Sequence, residues 1–250
     1  MERYSAQRHF TEVWDYRQQQ GQLLDKWKAE VEELTETPKV IDRVAPYPLY
    51  RDVSLSKAAV KGTCEFQEDM PYIKERYSWK MTPDWGCFPY EEIGHHPFAW
   101  VQRLKQHQQD KHTALPLTLQ EGEYAIFDFS NIEAGFITAA LRAVSDCDVV
   151  ISFCEYMPDD VFRFQNMNVH NVLEFFLEKE DERKLQSFEP YTFRFVMVAV
   201  RKGTAVLDSL GMKTYMFDAT GVKEPHIPNE ELKRIYRAAV RTFAHNAVEL

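Results

Sequence analysis

Residues 122–156 of the chain read GEYAIFDFSNIEAGFITAALRAVSDCDVVISFCEY. Three runs rich in Phe, Tyr, Val and Ile lie within this stretch, and turn-forming residues separate them: Tyr124 to Phe129, Phe136 to Val144 and Val149 to Glu155. Short runs of aromatic and β-branched residues between Gly, Asp and Asn are typical of β-strands. This stretch therefore predicts three consecutive strands.

Three further runs of the same kind follow, at Asn171 to Leu177, Phe193 to Val200 and Ala205 to Met216. Six strands at such short intervals favour antiparallel pairing. The runs Val149 to Glu155 and Phe193 to Val200 are apolar at both alternating sets of positions, as expected for strands with both faces covered. The sequence predicts a mainly β protein with an antiparallel β-sandwich over residues 40–220.

The N-terminal part of the chain carries a short helical pattern. Apolar residues recur there at three- and four-residue spacing, at Leu24, Trp27, Val31 and Leu34. Pro38 disfavours helix at the residue before it, so the helix is expected over about residues 22–36. This pattern predicts an N-terminal helical segment, residues 1–39, and a Pro-containing extended connector follows it from Val40 to Val53.

The first half of the sandwich region carries a loop-rich insertion near residues 67–120, crowded with Pro, Trp, His and Gly. A short strand is expected just before it, from Thr63 to Phe66. Within it we expect a brief helix near Phe98 to Gln108, and the polar run Gln106 to His112 is expected in a loop.

The C-terminal residues 226–250 predict an amphipathic helix. One face is apolar, with Leu232, Ile235, Tyr236, Ala239, Val240, Phe243 and Ala247. Asn229 is a good N-cap, and Glu230 and Glu231 suit the positive end of the helix dipole. No Gly, Asn or Pro follows the last turn as a stop signal. We therefore expect the apolar stripe to meet partners beyond Leu250, as in a piece of a larger protein.

Composition excludes several classes of protein. Asp and Glu outnumber Lys and Arg by 39 to 30, which gives a formal net charge of −9 without a basic cluster. Nucleic acid is not an expected partner, because phosphate binding needs concentrated positive charge. The sequence has neither an apolar run of membrane-spanning length nor a signal-peptide pattern, so no membrane partner is expected. The compartment stays open, and the cytoplasm is slightly favoured.

Metal, cofactor and nucleotide sites lack their usual signals. The cysteines, Cys64, Cys87, Cys147 and Cys154, form no CxxC pair, and buried free thiols are expected, with a Cys147–Cys154 bridge as the alternative in an oxidising compartment. His95 and His96 lie near Glu91 and Glu92, but adjacent histidines in a loop rarely face one ion, so no metal is assigned. No G-x-S-x-G, GxGxxG or Walker motif is present, and no cofactor is expected.

Two sets of residues have the chemistry that sugar hydrolysis or sugar binding needs. Paired carboxyl groups carry glycoside hydrolysis, and five acidic residues lie at predicted strand ends and turns: Asp128, Glu133, Glu155, Asp159 and Asp160. Turn chemistry explains such positions as well, so none is assigned as catalytic. Exposed aromatic rings stack on sugars, and six are concentrated in the loop-rich insertion: Trp79, Trp85, Phe88, Tyr90, Phe98 and Trp100. Packing inside the protein is the favoured role for these rings.

Two stretches resemble a known enzyme family. Glu123-Tyr-Ala-Ile-Phe-Asp-Phe-Ser-Asn-Ile-Glu-Ala-Gly-Phe-Ile137, followed by Phe153-Cys-Glu-Tyr156, is similar to the pattern Y-x-x-x-D-F/L-G-x-x-x-x-G-Y/F-I…E of bacterial α-L-rhamnosidases of glycoside hydrolase family 78. Phe188-Glu-Pro-Tyr-Thr-Phe-Arg-Phe-Val196 resembles that family's F-x-P-x-x-T-x-R-Y-V/L strand. The C-terminal helix, with Leu232, Ile235, Ala239, Thr242 and Asn246, is similar to the family's first barrel helix.

The resemblance covers about Val40 to Leu250 and implies a β-sandwich followed by the start of a truncated (α/α)₆ catalytic barrel. It implies a parent enzyme that removes terminal α-L-rhamnose from glycans with inversion. The family's Asp-Cys-Pro-x-Arg-Glu-Arg-type run, which contributes to its acidic site, has no counterpart before Leu250. No catalytic residue is therefore carried over, and the chain alone is expected to be inactive. By the same resemblance, Asp128 is expected to tether the turn ahead of Gly135.

Two other functions remain open. A free-standing carbohydrate-binding or adhesion module would use the aromatic residues between Trp79 and Trp100 to stack on a glycan. A purely structural domain would bind no sugar. The terminal helix distinguishes them from the hydrolase fragment, because a complete module has no reason to leave an apolar helical stripe uncovered.

Overall fold

The computed structural model describes residues 12–17, 47–67, 100–101, 103–111, 113–157, 162, 165–166 and 169–247. In these residues the chain forms thirteen strands and one long helix. The strands are β1 Glu12–Asp15, β2 Asp52–Leu55, β3 Val60–Phe66, β4 Leu104–Lys111, β5 Leu117–Gln120, β6 Glu123–Ala143, β7 Cys147–Cys154, β8 Gln165–Asn166, β9 Val169–His170, β10 Val172–Leu177, β11 Glu182–Gln186, β12 Tyr191–Lys202 and β13 Thr204–Thr214, and the helix is α1 Glu230–Asn246.

Eleven of the described strands form one sheet, and β8 and β9 form a separate pair. The main path through the sheet runs β1-β10-β7-β12-β6-β13-β2, with β3, β4, β5 and β11 joined at its sides. All pairings are antiparallel except that of β1 with β10, so the sheet is mixed. The predicted mainly β class is confirmed.

Strand β6 is the spine of this sheet. Its first part pairs with β3 and β12, and its second part pairs with β11 and β13. The predicted strands Tyr124 to Phe129 and Phe136 to Val144 are thus one continuous strand of 21 residues. The sequence separates them because the polar residues Ser130, Asn131 and Glu133 interrupt the apolar run. The side chains of Ser130, Asn131 and Ile132 are exposed.

Apolar side chains fill both faces of the central strands, as predicted. Val149, Ile151 and Phe153 of β7 belong to the larger core, with Phe127 of β6. Val150 of β7 belongs to a second core cluster with Met197 and Ala199 of β12. All eight residues of β7 are buried. Central strands with two covered faces explain the apolar runs without alternation that mark them in the sequence.

Several strands lie outside the predicted ones. The helix expected near Phe98 to Gln108 is wrong over most of its described length, because only Trp100 and Val101 are helical and Leu104–Lys111 is strand β4. The loop expected over Gln106 to His112 is largely the same strand. Its polar residues pair with β3, and the local sequence does not predict this strand because its hydrogen bonds come from β3. The N-terminal segment contains strand β1, and its predicted helix at residues 22–36 lies outside the described residues.

Two compact units divide the chain. The first covers Met1–Tyr16 and Tyr50–Tyr215, and the second covers Arg17–Leu49 and Met216–Leu250. The predicted domain limits at residues 39, 220 and 226 stay predictions, as does the helical barrel.

Within the second unit, the helix α1 forms where its pattern predicts. Asn229 caps it, with the side-chain oxygen accepting from the backbone N–H groups of Glu231 at 2.9 Å and Leu232 at 3.0 Å. Glu224 pairs with Arg237 and Lys233 on its polar face. No helix in the described residues, α1 included, is long and apolar enough to cross a membrane.

Candidate functional site

The predicted strand-end acids come together around β12. Phe195 lies opposite Asp128 of β6 on one side and opposite Cys154 of β7 on the other. Glu133 lies opposite Phe193, and Glu155 directly follows Cys154. Asp159 and Asp160 lie outside the described residues. Three of the five predicted acids therefore line the same short part of one strand, although they are far apart in sequence.

A β-bulge between β6 and β12 shapes this place. Phe193 and Val196 both belong to the larger core although they are three residues apart, an odd spacing that regular alternation would send to opposite faces. The pairing with β6 shifts between Phe193, opposite Glu133, and Phe195, opposite Asp128, so the single residue Arg194 faces four residues of β6, 129–132. Its guanidinium carbon lies 4.7 Å from the ring centroid of Phe195. The bulge thus directs the Arg194 side chain away from the core.

Arg194 binds Asp128 through two parallel hydrogen bonds. Nε donates to Oδ1 at 2.7 Å and Nη2 donates to Oδ2 at 2.8 Å, the geometry of a strong charge-assisted pair. Oδ1 also accepts from the backbone N–H of Ser130 at 2.7 Å, and Ser130 has a left-handed φ of 67°. Asp128 thus binds the backbone ahead of Gly135, which belongs to strand β6 rather than to a separate turn. Asp128, Ser130, Arg194 and Phe195 together are the bulge site.

The electrostatics of the bulge site suit a fixed anion. The hydrogen bond from Arg194 is the largest cause that lowers the pKa of Asp128; burial opposes it, and the Ser130 amide adds to it. A general acid for glycoside hydrolysis needs the opposite shift, because it must hold its proton at neutral pH. Asp128 therefore acts as an ionised tie between β6 and β12.

A second polar cluster lies in the buried part of the first unit. Asp148 on β7 and Glu174 on β10 are each 4% exposed. Arg201 of β12 donates through Nε to Asp148, and its Nη2 lies 2.7 Å from Glu174 Oε1. Sequence reasoning missed this cluster, because only Glu174 is a single charge inside an apolar run, whereas Asp148 and Arg201 lie at the ends of theirs. One guanidinium shared between two carboxylates makes it a strand-to-strand tie.

A third cluster surrounds Glu12 of β1, which is 5% exposed. Its carboxylate accepts from the backbone N–H groups of Phe188 at 2.9 Å and Glu189 at 3.1 Å, from Trp14 Nε1 at 2.9 Å, and from the Tyr191 hydroxyl. Sequence reasoning missed it because residue 12 falls in the segment predicted as helical.

Metal and thiol chemistry find little support in the part of the chain that the structure covers. No three His, Cys, Asp or Glu side chains there are grouped to hold a metal ion. Cys147 and Cys154 are buried thiols at opposite ends of β7 and are not joined by a disulfide, and Cys64 is a half-buried thiol. Burial raises the pKa of both Cys64 and Cys147 to about 11, which keeps these thiols protonated and weakly nucleophilic.

Other candidates fall mostly outside the described residues, among them Cys87, Glu91, Glu92, His95, His96 and the aromatic residues from Trp79 to Phe98. Trp100 is described, and it packs half-buried against the second core cluster. Its position agrees with the packing role that the sequence favours for these rings.

No protein-family model and no curated protein matches the chain. Among solved structures, a rhamnosidase from Klebsiella oxytoca with rhamnose bound is 13% identical with a TM-score of 0.47, over 79% of this chain and 36% of that one. A GH78 family rhamnosidase of Bacillus sp. GL1 is 15% identical with a TM-score of 0.36, over 47% and 16%. An α-L-rhamnosidase from Dictyoglumus thermophilum is 19% identical with a TM-score of 0.41, over 52% and 16%. This chain spans well under half the length of each of these structures.

Proposed function

We propose that this chain is the non-catalytic β-rich portion of an α-L-rhamnosidase-like glycoside hydrolase, whose whole protein hydrolyses terminal α-L-rhamnose with inversion. The observation that carries the proposal is the ion pair between Asp128 and Arg194. One partner comes from each of the two sequence stretches that resemble the family, and those stretches lie side by side on β6 and β12.

The ion pair matters because each stretch alone is a weak motif. If the two stretches resembled the family only by chance, their charged residues would not be expected to lie in contact. Here the Asp of the first stretch and the Arg of the second form a bidentate pair at the point where the pairing of β6 with β12 shifts. The two motifs therefore describe one structural feature, which supports reading them together.

The proposal includes a sandwich of two facing layers. The two parts of β6 pair with different strands, as the two layers of a sandwich sharing a long strand would require. One apolar core contains Phe127 and Val198 from the first part of the sheet, and Leu141 and Leu207 from the second. A shared core between the two parts supports this architecture.

The proposal also assigns α1 as the first helix of an (α/α)₆ barrel, whose later helices would cover its apolar stripe. In support, Leu232, Ile235 and Phe243 are 57%, 58% and 56% exposed. The catalytic acid and base would come from the barrel, and the β-rich portion would support it.

The test begins with the gene beyond the codon for Leu250. We expect an open frame that continues into an Asp-Cys-Pro-x-Arg-Glu-Arg-like run and further helices. The longer product should release 4-nitrophenol from 4-nitrophenyl α-L-rhamnopyranoside, with β-L-rhamnose as the first sugar product in proton NMR. The 250-residue chain should release none.

A stop codon directly after Leu250, or hydrolysis by the 250-residue chain, would overturn the proposal. With a stop codon, titration of the chain with rhamnose-containing saccharides would decide between a carbohydrate-binding module and a structural domain. Trp100→Ala is the variant that should abolish binding by a module, and a flat titration would leave the structural domain.

A further inference from the structure

Strand β1 is held in the sheet by contacts that are distant in sequence. It pairs in parallel with β10, so that Glu12 lies opposite Leu173 and Trp14 opposite Phe175. A parallel pair cannot be closed by a tight hairpin turn, and no turn therefore fixes the register of β1. Side-chain contacts must set the register instead.

The side chains of β1 alternate between the core and solvent. Glu12 is buried, and Trp14 and Tyr16 pack against the larger core, whereas Val13 is 49% exposed. Trp14 stacks on Tyr16 with ring centroids 6.3 Å apart, and the guanidinium of Arg183 in β11 lies 4.9 Å from the Tyr16 ring. The strand thus presents a Glu-x-Trp-x-Tyr face to the protein.

The turn from Ser187 to Tyr191 forms a receptor for the Glu12 carboxylate. The carboxylate accepts hydrogen bonds from four donors, and three of them come from this turn: the consecutive N–H groups of Phe188 and Glu189, and the Tyr191 hydroxyl. Consecutive backbone N–H groups that converge on one point are a recognised anion-binding arrangement. Donors that lie outside β1 therefore bind the Glu12 carboxylate.

The turn is also held by contacts outside β1. Ser187 Oγ accepts from the backbone N–H of Ile137 at 3.0 Å and donates to the carbonyl of Glu189 at 2.7 Å, which fixes the turn against β6. An apolar side chain would close this edge without the cost of burying a charge. A carboxylate instead selects one register of β1 along β10. A shift of β1 by one residue would bring Val13, whose side chain accepts no hydrogen bonds, to the donors.

We propose that the edge of β10 and the Ser187–Tyr191 turn form a binding site for an extended peptide with a carboxylate side chain followed by aromatic residues at the second and fourth positions. In this chain residues 12–16 occupy the site as a built-in ligand. The same site binds that segment in trans when β1 is released. This inference does not depend on the proposed glycosidase function.

The test is the binding of a fluorescein-labelled peptide of residues 10–17, measured by anisotropy with the full chain. The wild-type site is filled by its own β1, which lowers the fraction of chains competent to bind. Glu12→Ala in the chain should release β1 and tighten peptide binding at least about tenfold. The control Val13→Ala, on the exposed face of β1, should leave peptide binding at the wild-type level. A peptide with Ala in place of its Glu should bind at least about tenfold more weakly.

Two results would overturn the proposal. The first is a Glu12→Ala chain that keeps its circular dichroism spectrum and binds the peptide no better than the wild type. The second is equal binding of the peptides with Glu and with Ala. If Glu12→Ala does not fold, Glu12→Gln takes its place, and hydrogen exchange of the wild type gives a further readout. The amides of β1 should exchange together and well before those of β7, whereas equal rates would mean that the site never opens.

Discussion

The sheet and the helix α1 were both predicted from apolar periodicity, yet they use their apolar residues differently. Phe127 of β6 is 0% exposed and belongs to a core shared by many strands. Phe243 of α1 is 56% exposed and contacts Phe217, with ring centroids 5.6 Å apart. An apolar pattern therefore predicts a face suited to burial without specifying which segment covers it.

The same substitution in both regions gives the largest expected contrast. Phe127→Ala should lower the free energy of unfolding by about 4 kcal/mol, because it removes a fully buried ring and leaves a cavity. Phe243→Ala should cost about 1 kcal/mol, the value of one aromatic contact at an exposed position. Urea denaturation monitored by circular dichroism measures both. Equal losses would mean that α1 buries its apolar face as the sheet does.

A pair of glycines shows the same difference between the two regions at the backbone level. A Cβ on Gly135 in β6 would lie 2.5 Å from the carbonyl oxygen of Lys213 and 2.7 Å from Met212 Cγ. Gly135→Ala should therefore cost about 2 kcal/mol through overpacking. Gly221, ahead of α1, has nothing within 4 Å of the same position, so Gly221→Ala should leave stability nearly unchanged. A tolerated Gly135→Ala would contradict the close approach of β6 and β13.

The ion pairs of Asp128 and Glu224 give a smaller difference in the free energy of unfolding, and that difference has a defined pH dependence. Asp128→Asn should lower the free energy of unfolding by about 1 kcal/mol at pH 7, since the carboxylate and Arg194 are half-buried. The folded-state pKa of Asp128 is lowered, chiefly by Arg194, so its contribution is complete above the unfolded value of about 4 and is lost as the pH falls through the folded value.

Urea midpoints at pH 7, 5 and 3 check this dependence. The gap between wild type and Asp128→Asn should stay constant from pH 7 to 5 and narrow at pH 3. Glu224→Gln is the control in the second unit, where the lowered pKa of Glu224 comes first from Arg237 in an exposed pair. It should change stability less than Asp128→Asn does. A gap at Asp128 that widens in acid would contradict the ion pair.

The sequence predicted those features whose signals are local. Central strands such as β7 carry their apolar residues in one run, and Asn229 needs only its own helix to act as a cap. Strands β1, β4 and β11 were missed because edge strands are short or polar and depend on hydrogen bonds from a neighbour.

The candidate site divides in the same way. The family resemblance predicted Asp128 as a tether ahead of Gly135, whereas its partner Arg194 was not predicted, because that contact depends on the register of β6 against β12 and on a bulge. The receptor for Glu12 joins residues that are 176 to 179 positions apart in the chain. No spacing in the sequence encodes such a contact.

The smallest expected effect on stability tests the exposed face of α1 directly. Ile235 is 58% exposed, so Ile235→Ser should change the free energy of unfolding by no more than about 0.5 kcal/mol.

The same change should reduce self-association, because Leu232, Ile235 and Phe243 form an uncovered apolar stripe that favours contact between chains. In sedimentation velocity the mass of the wild type should rise with concentration above the 29.5 kDa of one chain, and that of the variant should rise less. Val144→Ser is the matched control, since Val144 is 51% exposed in the first unit and should leave association unchanged. A wild type that stays monomeric, with the α1 amides protected in hydrogen exchange, would mean that the stripe is covered within the chain and that the contrast between sheet and helix does not hold in solution.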